Sequence, residues 1–167
     1  AGYIAALLRD LDSERAGIAE RPVISIFIGG GTPSLFSGDA IASLLDGIRA
    51  RVYLADDAEI TLEANPGAAD TARFAAYRRA GVGRLSIGVQ SFRTAQLRAL
   101  GRVHDGSEAE DAVAAARHAG FDNINVDLMY GLPADTVAGS LADLSRALAL
   151  EPSHLSWYQL TLEPNTA

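Results

Sequence analysis

Two repeating patterns of hydrophobic and polar positions run along the chain, and together they predict an α/β fold. Segments with apolar residues three or four positions apart, such as Leu44, Leu45 and Ile48, predict amphipathic helices. Short, nearly continuous apolar segments between them have the length of buried strands. The predicted helices cover residues 2–13, 38–52, 69–80, 93–100, 107–119 and 137–150. The predicted strands cover residues 23–29, 59–64, 84–89, 123–129 and 154–160.

Strands that are separated by helices predict repeated right-handed βα units and therefore a parallel sheet. Polar residues follow every predicted strand, whereas an open doubly wound sheet needs them only at one switch point. We therefore predict a barrel or part-barrel. The chain has 167 residues, which is enough to bury a core, and we expect residues 1–167 to form a single domain.

The first strand runs directly into Gly29, Gly30 and Gly31, followed by Thr32 and Pro33. Backbone without Cβ atoms can approach a ligand closely, and the threonine adds a hydroxyl group. A glycine turn without a ligand is an equally good interpretation of this segment alone. The binding interpretation gains support because the four later strands also end in polar residues.

Those later strand ends supply carboxylates, amides and hydroxyls, which suit a ligand with an ammonium group, ribose hydroxyls and a polar base. They carry Glu63 with Asn65, Gln90 with Ser91, Asp127, and Gln159 with Thr161.

Several of these polar residues have a purely structural alternative. Glu63 would serve equally well as a cap for the helix after Pro66, and Gln90 with Ser91 as turn residues. The position of Asp127 favours a functional role, because it lies within an apolar strand that we expect to be buried. An unsatisfied carboxylate there costs several kcal/mol by rough estimate.

Other polar and aromatic residues carry weaker signals. Arg102 follows a predicted helix end, where it would either hold a carboxylate with its planar guanidinium or be a solvated loop cation. We expect His104 to form a local hydrogen bond and to have no catalytic role. Tyr130 and Trp157 suit either the core or a pocket wall.

Composition and charge exclude several classes of function. The net charge of -7 argues against binding nucleic acid or an anionic membrane, and no apolar segment has the length of a membrane span. We therefore expect a cytoplasmic protein. The chain has no cysteine, and its three histidines lie far apart in the sequence, so we expect no metal site within it.

Six segments, taken in order, resemble the radical S-adenosylmethionine (SAM) domain of oxygen-independent coproporphyrinogen III oxidase and its relatives. They are GGGTPS at 29–34, LEANP at 62–66, LSIGVQSF at 85–92, LGRVH at 100–104, DLMYGLP at 127–133 and LSWYQLT at 155–161. The third and last segments look most like the HemW branch of this family, whose members are proposed haem chaperones. The resemblance covers nearly the whole chain.

The resemblance implies a partial (β/α)6 TIM-like barrel of the radical SAM type, with strands two to six present and the first strand and cluster loop missing. The glycine run would hold the SAM amino group, and Arg102 would meet its carboxylate. Thr161 would lie near a main-chain contact to the cofactor. The cofactor-binding residues implied in this way are Gly30, Gly31, Thr32, Glu63, Gln90, Arg102, Asp127 and Thr161.

The sequence also departs from the family pattern. The CxxxCxxC cluster loop and the carboxyl-terminal haem motif are absent, and Ala134, Asp135 and Thr136 stand where relatives usually have Gly-Gln-Thr. We therefore expect an inactive fragment of a longer protein, called here the parent protein. The parent would bind a 4Fe–4S cluster, SAM and haem or a porphyrin, and the sequence identifies no haem-accepting protein.

Two other functions fit the sequence. One is a true oxygen-independent coproporphyrinogen III oxidase, which decarboxylates propionate side chains in porphyrin biosynthesis. The other is a phosphate-binding barrel enzyme that uses residues 29–32 as an anion-binding loop.

Overall fold

A computed structural model describes residues 2–18, 21–68 and 70–161 of the chain. The helices are α1 (Gly2–Ile18), α2 (Gly38–Arg49), α3 (Thr71–Ala80), α4 (Thr94–Ala99), α5 (Gly106–His118) and α6 (Val137–Ala149). The strands are β1 (Val23–Ile28), β2 (Leu54–Ala64), β3 (Arg84–Gln90), β4 (Asn123–Tyr130) and β5 (His154–Gln159). Short 3₁₀ turns cover Pro33–Leu35 and Pro66–Ala68.

The five strands form one parallel sheet in the order β1-β2-β3-β4-β5. The sheet curls into a half-barrel with helices packed outside it, which confirms the predicted fold class. A parallel sheet with its strands in sequence order is the arrangement that repeated right-handed βα units produce. The carboxyl ends of all five strands therefore point toward the same rim of the half-barrel.

Two elements are longer than the sequence pattern predicts. Strand β2 begins at Leu54, five residues before its predicted start, because Leu54 pairs with Val23 across a register shift in β1. The acidic residues Asp56 and Asp57 hide this extension, since charged residues are uncommon in strands. Helix α1 continues to Ile18 instead of ending at residue 13, and its last turn is largely exposed.

The outer face of the sheet forms the hydrophobic core with the helices. Strand residues such as Leu62, Leu85 and Val126 are fully buried there. Phe74 of α3 is also buried and meets the ring of Phe121 edge to face, with 6.4 Å between the ring centres. Alternate residues of the same strands point to the other, concave face, which will be called the inner face.

The inner face is polar where the outer face is apolar. Strand register places Glu63 beside Ser86, Ser86 beside Asn125, and Asp127 beside Ser156. These residues form a band across the sheet just below the strand ends. Among the helices that the structure describes, none is both long and apolar enough to cross a lipid bilayer.

Candidate functional site

A polar cavity of about 380 Å³ lies against the inner face at the carboxyl ends of the strands. This volume falls within the range of about 300–1,000 Å³ that is typical of small-molecule sites. Six of the eight sequence-predicted residues line the cavity: Gly30, Gly31, Glu63, Gln90, Arg102 and Asp127. The fold therefore brings together predicted residues from β2, β3, β4 and two loops.

The remaining two predicted residues lie outside the cavity wall. Thr32 lines a neighbouring apolar groove between α1 and the sheet, and its hydroxyl donates to the carbonyl oxygen of Gly31 at 2.7 Å. Thr161 is exposed just after β5 and is not among the residues that line the cavity. The cofactor-binding roles of all eight residues stay predictions.

Glu63 contacts the glycine run and does not cap a helix. Its Oε2 accepts a hydrogen bond from the backbone N–H of Gly30 at 3.2 Å. Gly30 has a φ of 118°, a backbone conformation that residues with a Cβ rarely adopt. The cap of α3 is Asp70, which accepts from the N–H of Arg73 at 2.8 Å. The structure thus argues against the capping alternative for Glu63, and the role of Glu63 in binding stays a prediction.

Buried polar contacts fix the segment that leaves the glycine run. The carbonyl oxygen of Ser34 accepts from Arg73 Nη1 at 2.8 Å and lies 2.9 Å from the hydroxyl of Tyr77. Burial raises the pKa of Tyr77, so its hydroxyl stays a hydrogen-bond donor. Helix α3 therefore holds the loop from the outside, and the glycines are left to face the cavity.

Asp127 is only half-buried, which corrects the prediction of a buried carboxylate. The strand is buried on its outer face, but Asp127 points to the open inner face. It does have the partners that its position requires: Ser86 Oγ donates to Oδ2 at 2.9 Å, and Asn125 Nδ2 donates to Oδ1 at 2.8 Å. Each oxygen keeps a second lone pair for a ligand.

Gln90 combines a turn role with a place in the cavity. Its φ of 65° and the 2.8 Å hydrogen bond from the N–H of Ser91 to the carbonyl of Val89 define a γ-turn centred on Gln90. Such turns with positive φ are rare and strained. Buried His104 supports the turn, because its Nε2 lies 3.1 Å from the same carbonyl oxygen. The sequence predicts a local hydrogen bond for His104, whereas the partner in the structure lies 15 positions earlier, on β3.

The loop after Gln90 is tied to α6 by a buried acid. Asp143 accepts from Ser91 Oγ at 2.6 Å, from the N–H of Phe92 at 3.1 Å and from Arg93 Nε at 3.0 Å. Arg93 also pairs with Asp135, with 2.9 Å between Nη2 and Oδ1. The exit of the strained turn is thereby fixed to the outer layer of the barrel.

Asp135 belongs to the segment where the sequence departs from the family pattern. Burial alone would raise the pKa of Asp135, but hydrogen bonds from Ser140, Arg93 and the backbone outweigh it and lower the pKa to about 2. Thr136 caps α6 by accepting from the N–H of Gly139 at 3.1 Å. The departure therefore forms a well-bonded turn.

Arg102 lies at the cavity wall and has a neutral neighbour. Its Nη1 donates to Asn65 Oδ1 at 3.3 Å, and the N–H of Asn65 in turn donates to Ser34 Oγ at 3.4 Å. A guanidinium has five donors, so this contact leaves most of them available for an anionic ligand group. The cavity combines this cation with the carboxylates of Glu63 and Asp127.

Sequence reasoning missed the cavity residues that lie within the strands. They share inner-face positions below the strand ends and include Arg84, Ser86, Gly88, Asn125, Ser156 and Tyr158. Their signal is the alternation of polar with apolar residues in Arg84–Gln90 and Asn123–Tyr130. A prediction of these segments as nearly continuous apolar strands overlooks that alternation.

Comparisons with known proteins agree with this fold. The family model of the radical SAM superfamily matches residues 9–143. The haem chaperone HemW of Escherichia coli (strain K12) is 56% identical over 164 residues, which is 98% of this chain and 43% of that protein. The mitochondrial radical S-adenosyl methionine domain-containing protein 1 of Mus musculus is 49% identical, over 87% of this chain and 33% of its own length.

A solved structure shows the same likeness in three dimensions. Coproporphyrinogen III oxidase (HemN) from Escherichia coli, a radical SAM enzyme, superposes with a TM-score of 0.86 at 31% identity, over 98% of this chain and 38% of that one. The chain spans less than half the length of these relatives. The family match over most of the chain confirms the resemblance predicted from the sequence motifs, and the chain belongs to the radical SAM superfamily.

Proposed function

We propose that the cavity binds SAM, and that the chain is the central, cofactor-binding part of a longer protein of the haem chaperone type. The observation that carries the proposal is the charge pattern of one cavity. Two carboxylates, Glu63 and Asp127, share it with Arg102 and with exposed backbone of Gly30 and Gly31.

This pattern complements the charges of SAM. SAM carries a sulfonium and an ammonium group, which favour nearby carboxylates, and a carboxylate, which favours the planar fork of an arginine. Its ribose hydroxyls can donate to the free lone pairs of Asp127, which already accepts one hydrogen bond on each oxygen from the inner face. We expect each of these contacts to contribute to affinity.

The phosphate-binding alternative fits the site poorly. An anion-binding loop needs free backbone N–H groups, but the N–H of Gly30 already donates to the Glu63 carboxylate at 3.2 Å. A phosphate at this loop would meet the negative charge of Glu63 at close range. The site therefore favours a ligand with positive charge near the glycine run.

The residues of this chain do not fit the other cofactor of the family. Iron–sulfur clusters are held mainly by cysteine thiolates, and the chain has no cysteine. Within the described residues, no group of histidine and acidic side chains is arranged to hold a metal ion. We propose that the parent protein binds the 4Fe–4S cluster through residues outside this chain.

The haem chaperone function is favoured over the oxidase function by the degree of similarity. Identity is 56% to the haem chaperone HemW and 31% to coproporphyrinogen III oxidase, each over 98% of this chain. We propose that the parent protein binds haem as well as SAM. Coproporphyrinogen oxidation is the second candidate, because the HemN structure superposes closely.

Titration calorimetry on the parent protein tests the cofactor, with inorganic phosphate as the competing ligand. We expect saturable binding of SAM at one site and no heat from phosphate. Binding of phosphate without SAM would contradict the proposal. Haem titration, followed by the absorbance of bound haem, and an assay for decarboxylation of coproporphyrinogen III then separate the chaperone from the oxidase.

A further inference from the structure

One contact across the cavity joins a cofactor-binding residue to a residue that the family resemblance does not assign. The hydroxyl of Tyr158 donates to Gln90 Oε1 at 2.7 Å, although the two residues are 68 positions apart in the sequence. Tyr158 lies on β5, and its side chain crosses the inner face to reach the end of β3. The contact therefore spans β4.

The contact determines which end of the Gln90 amide faces the ligand. A glutamine amide presents an acceptor oxygen at one end and two N–H donors at the other. Because Oε1 is used by Tyr158, the Nε2 group is directed toward the side of the cavity beside Gly88. A methyl group at Gly88 would lie 3.0 Å from Nε2 of Gln90 and 3.5 Å from Oδ1 of Asn65.

The backbone of Gln90 is held in place by other residues, so the orientation of its side-chain amide is the conformational freedom that remains. His104 and Ser91 both contact the carbonyl of Val89 and hold the strained turn. Asp143 holds the segment after the turn. Within the described residues, none of these three forms a hydrogen bond with the Gln90 amide, whereas Tyr158 does.

The phenol is suited to this task because it remains protonated. Burial and the nearby negative charge of Asp127 raise the pKa of Tyr158, and they outweigh the lowering by Gln90 and Arg102. A protonated phenol donates to the amide oxygen, which is the partner seen in the structure.

We propose that Tyr158 is a positioning residue that orients the Gln90 amide so that its Nε2–H donates to an acceptor atom of SAM. This inference rests on the proposed SAM site. It predicts that Tyr158 acts through Gln90 and loses its effect on affinity when the amide is removed. It also predicts that Gln90→Glu, which keeps an acceptor for Tyr158 but has no donor, weakens SAM binding.

A double-mutant cycle on the parent protein tests the inference. SAM affinity is measured by calorimetry for the unmodified protein, Tyr158→Phe, Gln90→Ala and the double variant. We expect Tyr158→Phe alone to weaken binding by about 3- to 10-fold, the usual worth of one hydrogen bond. In the Gln90→Ala background, the same change should alter the affinity by less than about 2-fold.

Trp157→Phe serves as the matched control, because Trp157 precedes Tyr158 on β5 but is not among the residues that line the cavity. Its ring packs instead against Tyr130, with 5.0 Å between the ring centres. We expect this variant to leave SAM affinity unchanged. An unchanged SAM affinity in Tyr158→Phe, or an equal loss of affinity with and without the Gln90 amide, would overturn this inference but not the proposed SAM site. Absence of SAM binding to the unmodified protein would instead overturn the proposed function and this inference with it.

Discussion

The outer and inner faces of the same five-stranded sheet have opposite chemistry. On the outer face, Leu62, Leu85 and Val126 are fully buried under the helices. On the inner face, alternate residues of the same strands are polar, and Ser86, Asn125 and Asp127 are hydrogen bonded to one another. One alternating sequence therefore supplies both a core and a binding surface.

The two faces differ in what holds their side chains in place. Outer residues are fixed by close packing, so their contribution is to stability. Inner residues are fixed by directional hydrogen bonds, which leave some lone pairs and donors free for a ligand. The comparison leads us to expect that substitutions on the outer face change the free energy of unfolding, and that those on the inner face change SAM affinity.

The largest effect is expected for Phe74→Ala on the outer side. Phe74 is completely buried, so the substitution leaves a cavity and should lower the free energy of unfolding by about 3–5 kcal/mol. Urea denaturation of the parent protein measures this loss. Phe27→Ala is the matched control, because Phe27 lines the inner-face cavity and is 61% exposed, so its loss should cost less than about 1 kcal/mol. Equal losses in the two variants would contradict the assignment of the faces.

The next effect is expected for Glu63→Gln and Asp127→Asn on the inner face. Each removes a charge while keeping the shape, and should weaken SAM binding by roughly 1–3 kcal/mol. Calorimetry of SAM binding and urea denaturation of the same samples separate affinity from stability. If both variants bound SAM as tightly as the unmodified protein, the assignment of the cavity would be wrong.

A smaller effect concerns the ion pair that anchors the loop after Gln90. The pKa of Asp135 is about 2, below the value of about 3.9 in unfolded chains. Its ionised carboxylate therefore contributes fully to the free energy of unfolding at pH values above about 3.9. That contribution, about 1 kcal/mol after solvent screening, should be lost as the pH falls from about 5 to 2. The difference in unfolding free energy between the unmodified protein and Asp135→Asn, measured across this range, should shrink toward low pH. A constant difference would contradict this role.

The smallest effect is expected for Gly88→Ala. The added methyl group would come within 3.0 Å of Gln90 Nε2, so the flexible amide must shift by a few tenths of an ångström. We expect SAM affinity to fall by about 3-fold, with little change in stability, because a shifted donor weakens one hydrogen bond. Gly47→Ala, on the outer helix α2 against Leu8, is the control that should leave SAM affinity unchanged.

Periodicity was enough to predict the α/β class and the position of each strand end. The early part of β2 could not be predicted, because it contains the charged residues Asp56 and Asp57 and depends on the pairing of Leu54 with Val23 of β1. Such pairing depends on a neighbour distant in sequence, which local patterns do not report.

The cavity was predictable at the strand ends and less so below them. Six of the eight cofactor-binding residues predicted from the sequence line it, since residues at the carboxyl ends of parallel strands meet at one rim. The contact between Tyr158 and Gln90 was not predictable, because it depends on how strongly the sheet curls. The γ-turn at Gln90 was equally hidden, since glutamine carries no preference for positive φ.

A crystal structure of the parent protein with SAM bound tests the central claim most directly. We predict that SAM lies against the inner face, with its ribose hydroxyls near Asp127, its ammonium group near Glu63 and the glycine run, and its carboxylate at Arg102. SAM bound in the apolar groove between α1 and the sheet, or outside the half-barrel, would contradict the claim that the polar inner face forms the cofactor site.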